Sequence, residues 1–336
     1  MPPISSSAHA SPTKLASKPS PSGKALLAQA EAKFNSSKKS SITWWISSLF
    51  STRMSEEDNV EQAAELFGQA ANRFKIDKLW NDAGSAFLRM ATCSSIIGER
   101  DDELSALVSA ASCFKKSEFP QKAIDPLTTA SLGYLERGRL HTAARQFRDL
   151  GELYEILAGK PIESGDYFTP SSEPFFLKAI EFFQKSSDLF LGEDAIATSN
   201  ACLIRVGMLA ALCKDFPLAV RTFEEMARQS ISQALAKWSV KEHLFRASLC
   251  MLASRDYDLT SIERAHTSEY ITLDSGFSMS LECAFVAVFI SSDFEDDLES
   301  FNAIVSEFDK MSPFDAWKSA LLLLIKQRFD ETESLA

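Results

Sequence analysis

A small residue followed three places later by an aromatic one recurs through most of this chain. It is first read in Ala70-Ala71-Asn72-Arg73-Phe74, and it returns as Ala111-x-x-Phe114, Gly151-x-x-Tyr154 and Ser187-x-x-Phe190. The leading positions 71, 111, 151 and 187 lie 40, 40 and 36 residues apart. A second register interleaves with the first, in Ala83-Gly84-x-x-Phe87, Ala123-Ile124-x-x-Leu127, Ala179-Ile180-x-x-Phe183 and Ala219-Val220-x-x-Phe223. Residues i and i+3 share one face of a helix, so a small side chain there admits a neighbouring helix and the ring fills the space beside it. Two registers in one period predict two helices per repeat, each about 20 residues with its turn. The fold expected is therefore all-α, a TPR-like right-handed array of antiparallel helical hairpins.

Composition agrees. Only 12 Gly and 12 Pro interrupt 336 residues, 45% of the chain is hydrophobic, and there are 25 Phe against 5 Tyr. No sustained β-type alternation is present. The six cysteines, Cys93, Cys113, Cys202, Cys213, Cys250 and Cys283, form no CxxC pair and sit among apolar residues. They read as reduced, buried thiols of a cytosolic protein. The first 25 residues lack the apolar run of a signal peptide. No stretch approaches the ~20 apolar residues of a membrane span.

The net charge of −11 is unevenly placed. Up to residue 55 there are seven Lys/Arg and one acid, Glu31; from residue 290 onward there are eleven acids and four bases. A basic front and an acidic rear imply different partners at the two ends. The overall acidity argues against nucleic-acid binding.

In chain order, residues 1–22 are a Ser/Pro-rich segment expected to be a disordered tail. Residues 23–228 carry the hairpin repeats, and 229–336 read as a C-terminal helical bundle with an acidic end. Gly138 and Asp194 fall where inter-helix turns are expected. A longer insertion spans roughly 158–173, and 254–276 reads as polar and broken. Between Ser-rich flanks, 42–50 holds Trp44, Trp45, Ile46, Leu49 and Phe50, with Lys38, Lys39 and Arg53 nearby. Such a run is too short to span a bilayer but suits insertion at the interface. Capping of the first hairpin explains those rings equally well, and the residues alone leave both readings open.

No phosphate loop, HExxH, GxSxG or metal-spaced Cys/His cluster occurs. No catalytic residue, metal or cofactor is expected; a thiol activity at Cys113 or Cys202 is a minor alternative. Lys75, Lys78, Lys115, Lys116, Arg139, Arg145, Arg205, Lys237, Lys241 and Arg246 recur near helix ends. They are either ordinary solvated charge or a positive stripe suited to an acidic rod-like partner. Asp293, Glu295, Asp296 and Asp297 cluster late in the chain, and Leu335 stands next to its end.

The segments Ala70-Ala71-Asn72-Arg73-Phe74-Lys75, Trp80, Ala83-Gly84-Ser85-Ala86-Phe87 and Ala110-Ala111-Ser112-Cys113-Phe114-Lys115-Lys116 resemble the soluble NSF attachment proteins, the α-SNAP and Sec17-like adaptors of vesicle fusion. Gly138 to Ala144, Phe308-Asp309, Asp315-Ala316-Trp317 and Leu321 to Lys326 continue the likeness, which runs from about Lys24 to the C-terminus. The resemblance implies a non-enzymatic, cytoplasmic adaptor associated peripherally with membranes. It would bind the four-helix bundle of syntaxin-like and other SNAREs and recruit and stimulate an NSF-type AAA+ ATPase, as in ER–Golgi transport. It implies membrane contact through Trp44, Trp45, Ile46, Leu49 and Phe50. SNARE contact would fall on Lys78, Lys116, Arg139, Arg145, Arg205, Lys237 and Lys241, and ATPase contact on Asp293, Glu295, Asp296, Asp297 and Leu335. A further family lysine falls on Ala201. The rival expectation is a general helical-repeat scaffold of a coat-like or lid-like assembly.

Overall fold

A computed structural model describes residues 22–40, 51–159, 172–231, 237–291 and 298–333. Among these residues there is no strand, and the all-α expectation holds. Contacts divide the chain into two compact units, Met1–Glu99 and Arg100–Ala336.

The first unit holds α1 (Gly23–Ser40), α2 (Ser51–Ile76) and α3 (Trp80–Ile97), each packed on the next. Ala30, Ala63 and Ala64 let α1 and α2 approach, and Phe34 meets Phe67 edge-on at 6.4 Å. Arg89 closes this core from α3. Its guanidinium lies 4.6 Å from the centre of Phe34 and donates to Glu31 at 2.7 and 2.9 Å. One cation thus serves a ring face and a carboxylate together.

The second unit begins with α4 (Arg100–Phe114), α5 (Ile124–Glu136), α6 (Leu140–Leu157), α7 (Glu173–Gly192), α8 (Ile196–Leu212) and α9 (Phe216–Ile231). It continues with α10 (Val240–Ala253), α11 (Leu259–Arg264), α12 (Ile271–Leu273), α13 (Leu281–Ser291), α14 (Leu298–Met311) and α15 (Ala316–Glu333). The recurring pattern is its packing code. Ala111, Gly151, Ser187, Ala179 and Ala219 are buried, as are Phe114, Phe183, Phe190 and Phe223. At Gly151 a Cβ would stand 2.9 Å from the Phe183 ring, so α6 meets α7 at a spacing that only glycine permits. Phe147 and Tyr154 of α6 then stack on Phe182.

The inter-helix turns repeat as well. Leu79, Glu99, Arg139, Ala195 and Asp215 each donate their backbone N–H to the carbonyl five residues earlier, at 2.9 Å. The residue before each is left-handed: Lys78 (φ 59°), Gly98 (92°), Gly138 (69°), Asp194 (56°) and Lys214 (61°). These are Schellman turns, a position that favours glycine. The expected turns at Gly138 and Asp194 are therefore present.

The 254–276 stretch departs from expectation. Residues 259–273 are helical, passing from α11 through a π-helical turn at Ala265–Tyr270 into α12. Ile262, Ala265, His266 and Tyr270 give this polar stretch a buried face, which stabilises a helix that local pattern does not announce. Trp317 of α15 returns to the hairpins: its indole N–H donates to the Met208 carbonyl at 3.0 Å, and its ring meets Phe223 edge-on at 5.8 Å. At the insertion, Ser172 donates to the Ala158 carbonyl at 3.0 Å, and residues 160–171 lie outside the described set.

Asp194→Gly should relieve the left-handed turn and raise stability by about 1 kcal/mol. An unchanged or lowered denaturation midpoint would show that the aspartate carries no such strain.

Candidate functional site: a charged face on alternate helices

The α4, α6 and α8 helices are linked by ion pairs that skip the helix between. Lys115, just past the end of α4, reaches Glu152 of α6 at 3.5 Å, and Arg148 approaches the same carboxylate at 3.8 Å. Arg205 of α8 grips Glu155 of α6 with two N–H groups, one from Nε at 3.0 Å, and Glu155 is buried. At the first turn of α4, Asp101 takes both Arg137 at 3.0 Å and Arg139 at 3.2 Å. Lys115, Lys116, Asp149, Ile156, Val108 and Leu127 line a shallow cleft of about 290 Å³. Burial raises the Asp149 carboxyl above its ordinary pKa, with Lys115, Arg148 and Arg145 acting in the opposite sense.

This arrangement brings Lys116, Arg139, Arg145 and Arg205 onto connected helices, but not as a purely positive wall. Asp101, Asp149, Glu152 and Glu155 are interleaved with them. Sequence reading missed these acids because they look like ordinary helix-surface residues; the 148/152 spacing is the one local hint of pairing. Arg145 is exposed and has no ion-pair partner among the described residues. Lys116 is exposed one turn beyond α4.

The remaining candidates belong to other elements. Lys78 is exposed at the turn between α2 and α3, in the first unit. Lys237 and Lys241 flank the start of α10, the first exposed and the second half-buried. Arg246, another member of the expected stripe, is turned inward. It binds Glu242 at 2.8 Å and Asp315 at 3.4 Å, and lies 5.5 Å from the centre of Trp317. Burial would lift Glu242, but Lys318 and Arg246 outweigh it and hold this carboxyl below its ordinary pKa. That network clamps α15 to α10, so Arg246 is a structural residue.

Cys113 and Cys202 are buried, and desolvation raises the Cys202 thiol; both features oppose a nucleophilic role. Among the described residues no three metal-binding side chains cluster. No described helix is long and apolar enough to cross a membrane. Trp44, Trp45, Ile46, Leu49, Phe50, Asp293, Glu295, Asp296, Asp297 and Leu335 lie outside the described residues.

A helical-hairpin array that presents a charged face is a common scaffold for binding other proteins. The sequence model of the soluble NSF attachment protein family, SNAP, matches residues 21–330. An alpha-soluble NSF attachment protein of Homo sapiens is 30% identical over 92% of this chain and 95% of its own length. One from Vitis vinifera is 30% identical over 81% and 88%. A probable vesicular-fusion protein sec17 homolog of Schizosaccharomyces pombe is 30% identical over 81% and 88%. The chain belongs to the soluble NSF attachment protein family, a family of adaptors and not enzymes.

A raised carboxyl favours the fold while protonated and loses that contribution as pH rises through its folded-state pKa. Asp149→Asn should therefore raise the melting temperature at pH 7, with the gain shrinking as pH falls through the raised folded-state pKa and gone below the ordinary Asp value of about 4. Equal melting curves at neutral pH would mean that the surrounding cations fully compensate Asp149.

Proposed function

We propose that this chain grips assembled SNARE complexes and presents them to an NSF-type ATPase, which dismantles them for reuse in vesicle fusion. The observation that carries the reading is the ion-paired face on α4, α6 and α8, where Arg139 and Arg145 project from a protein of the NSF attachment family. Rows of modest exposed contacts, each worth ~1 kcal/mol or less, suit recognition of an acidic rod without strict sequence demands. Carboxylates fix Arg139 and Arg205 in place and temper the field, so the grip stays reversible. Lys78, Lys116, Arg205, Lys237 and Lys241 are assigned to the same task.

Trp44, Trp45, Ile46, Leu49 and Phe50 are assigned to the membrane surface, making the protein peripheral there. Insertion would turn SNARE capture into an effectively intramolecular event. Asp293, Glu295, Asp296, Asp297 and Leu335 are assigned to the ATPase. The repeats thus supply the grip and the later helices the coupling.

The deciding experiment is ATP-driven disassembly of a SNARE complex by the ATPase, with and without this protein. Disassembly that is equally fast in both cases refutes the reading. Arg139→Glu/Arg145→Glu should weaken SNARE capture about tenfold or more at low salt; undiminished pull-down would remove those residues from the interface. Trp44→Ser/Trp45→Ser should lower co-sedimentation with anionic liposomes while leaving SNARE capture in solution intact, and unchanged sedimentation would end the membrane assignment.

A further inference from the structure

Ser248 of α10, His266 of the π-helical turn and Cys283 of α13 form a short chain of side chains in the C-terminal helices. Ser248 is buried and spends its proton on the Leu244 carbonyl, to which it donates at 2.7 Å. At His266 Nε2, 2.6 Å away, the same oxygen must then accept, which places the ring proton on Nε2. The other nitrogen, Nδ1, is left as an acceptor and faces the Cys283 thiol at 3.9 Å. His266 is 3% exposed and packs against Tyr270 and Phe277, with ring centres at 5.3 and 5.4 Å. Burial, with no charged neighbour contributing, lowers its pKa to about 4, so the imidazole is neutral at pH 7. Single π-helical turns are rare and concentrate at functional sites. Here that turn carries a buried ring nitrogen aimed at a sulfur.

Cys283 differs from the other five cysteines. Cys93, Cys113, Cys202 and Cys250 are buried, whereas Cys213 and Cys283 are partly exposed. Glu173 and Asp215 act with burial to push the Cys213 thiol up to about 11. At Cys283 burial raises the thiol and no charged group adds to it. Cys283 also sits in the first turn of α13, where its backbone N–H donates to Ser280 Oγ at 3.1 Å. A helix N-terminus favours the negative charge that develops on sulfur as a thiol reacts. Access, a neutral base within reach and the positive end of a helix dipole converge on this one sulfur.

We propose that Cys283 is a thiol-modification site for small disulfides such as oxidised glutathione, with His266 as its proton acceptor and Ser248 as the positioning residue. The Cys283 sulfur attacks one sulfur of the disulfide. The Cys283 S–H bond and the reagent's S–S bond break, and a new S–S bond forms between protein and reagent. The thiol proton moves to Nδ1 and then to the departing thiolate, which leaves as a free thiol. The disulfide is the oxidant, and an excess of small thiol reverses the exchange. Because the proton passes within the pair, the attacking thiol need not ionise beforehand.

The full chain should be incubated with oxidised glutathione and the rate at each cysteine read by peptide mass spectrometry. In the native protein Cys283 should form the mixed disulfide at least about tenfold faster than Cys213. An unassisted thiol speeds up about tenfold per pH unit between about pH 5 and about pH 8, whereas one served by a neutral base reacts at a flat rate there. Cys283 should therefore give the flat profile and Cys213 the steep one. His266→Asn should slow Cys283 about a hundredfold at about pH 6 and make its profile steep. Ser248→Ala, which frees the tautomer, should give an intermediate rate. The Cys213 rate gauges folding and should stay at its wild-type value in both variants. Equal wild-type rates at Cys283 and Cys213, or a steep wild-type profile at Cys283, overturns the proposal without recourse to any variant. An unchanged Cys283 rate in His266→Asn overturns the role of the imidazole.

Discussion

The close approach of a small residue to a ring on the next helix is the contact from which the hairpins are built. At Gly151 and Phe183, and again at Gly207 and Phe223, a Cβ would sit within 3 Å of the aromatic carbons. Dispersion depends steeply on separation, so this spacing gives each ring contacts on both faces and leaves little void. It also fixes where each helix crosses its neighbour. The side chains on the outward faces inherit their positions from that register.

Those outward faces are charged, and their chemistry depends on what alternate helices bring together. Glu155 is buried and would be costly without Arg205, which reaches it from α8. Asp101 collects two arginines from a turn that a left-handed glycine, Gly138, makes possible. Lys115, Arg137, Arg139 and Arg205 are therefore held by carboxylates, whereas Arg145 has no such partner among the described residues.

The later helices add a lock. Trp317 hydrogen-bonds to α8, meets α9 through Phe223 and shares Arg246 with α10. Lys318 and Asp315 complete the clamp. Force applied to the late helices would enter α8–α10 through these residues.

The sequence by itself determined the helical class, the two-register packing code and the turns at Gly138 and Asp194, because these are marked by residues three to five positions apart. It also held the family likeness, since order and spacing survive where single residues change. Only the tertiary structure decided which charges act outward. Arg246 and Arg139 look alike in the chain, yet one is turned into a clamp and the other lies at an exposed turn. It likewise made a helix of 259–273, where burial of Ile262 and Tyr270 outweighs a weak local signal. The physical reason is common to both cases: pairing and burial join residues tens of positions apart, and no local pattern encodes which partner a side chain will meet.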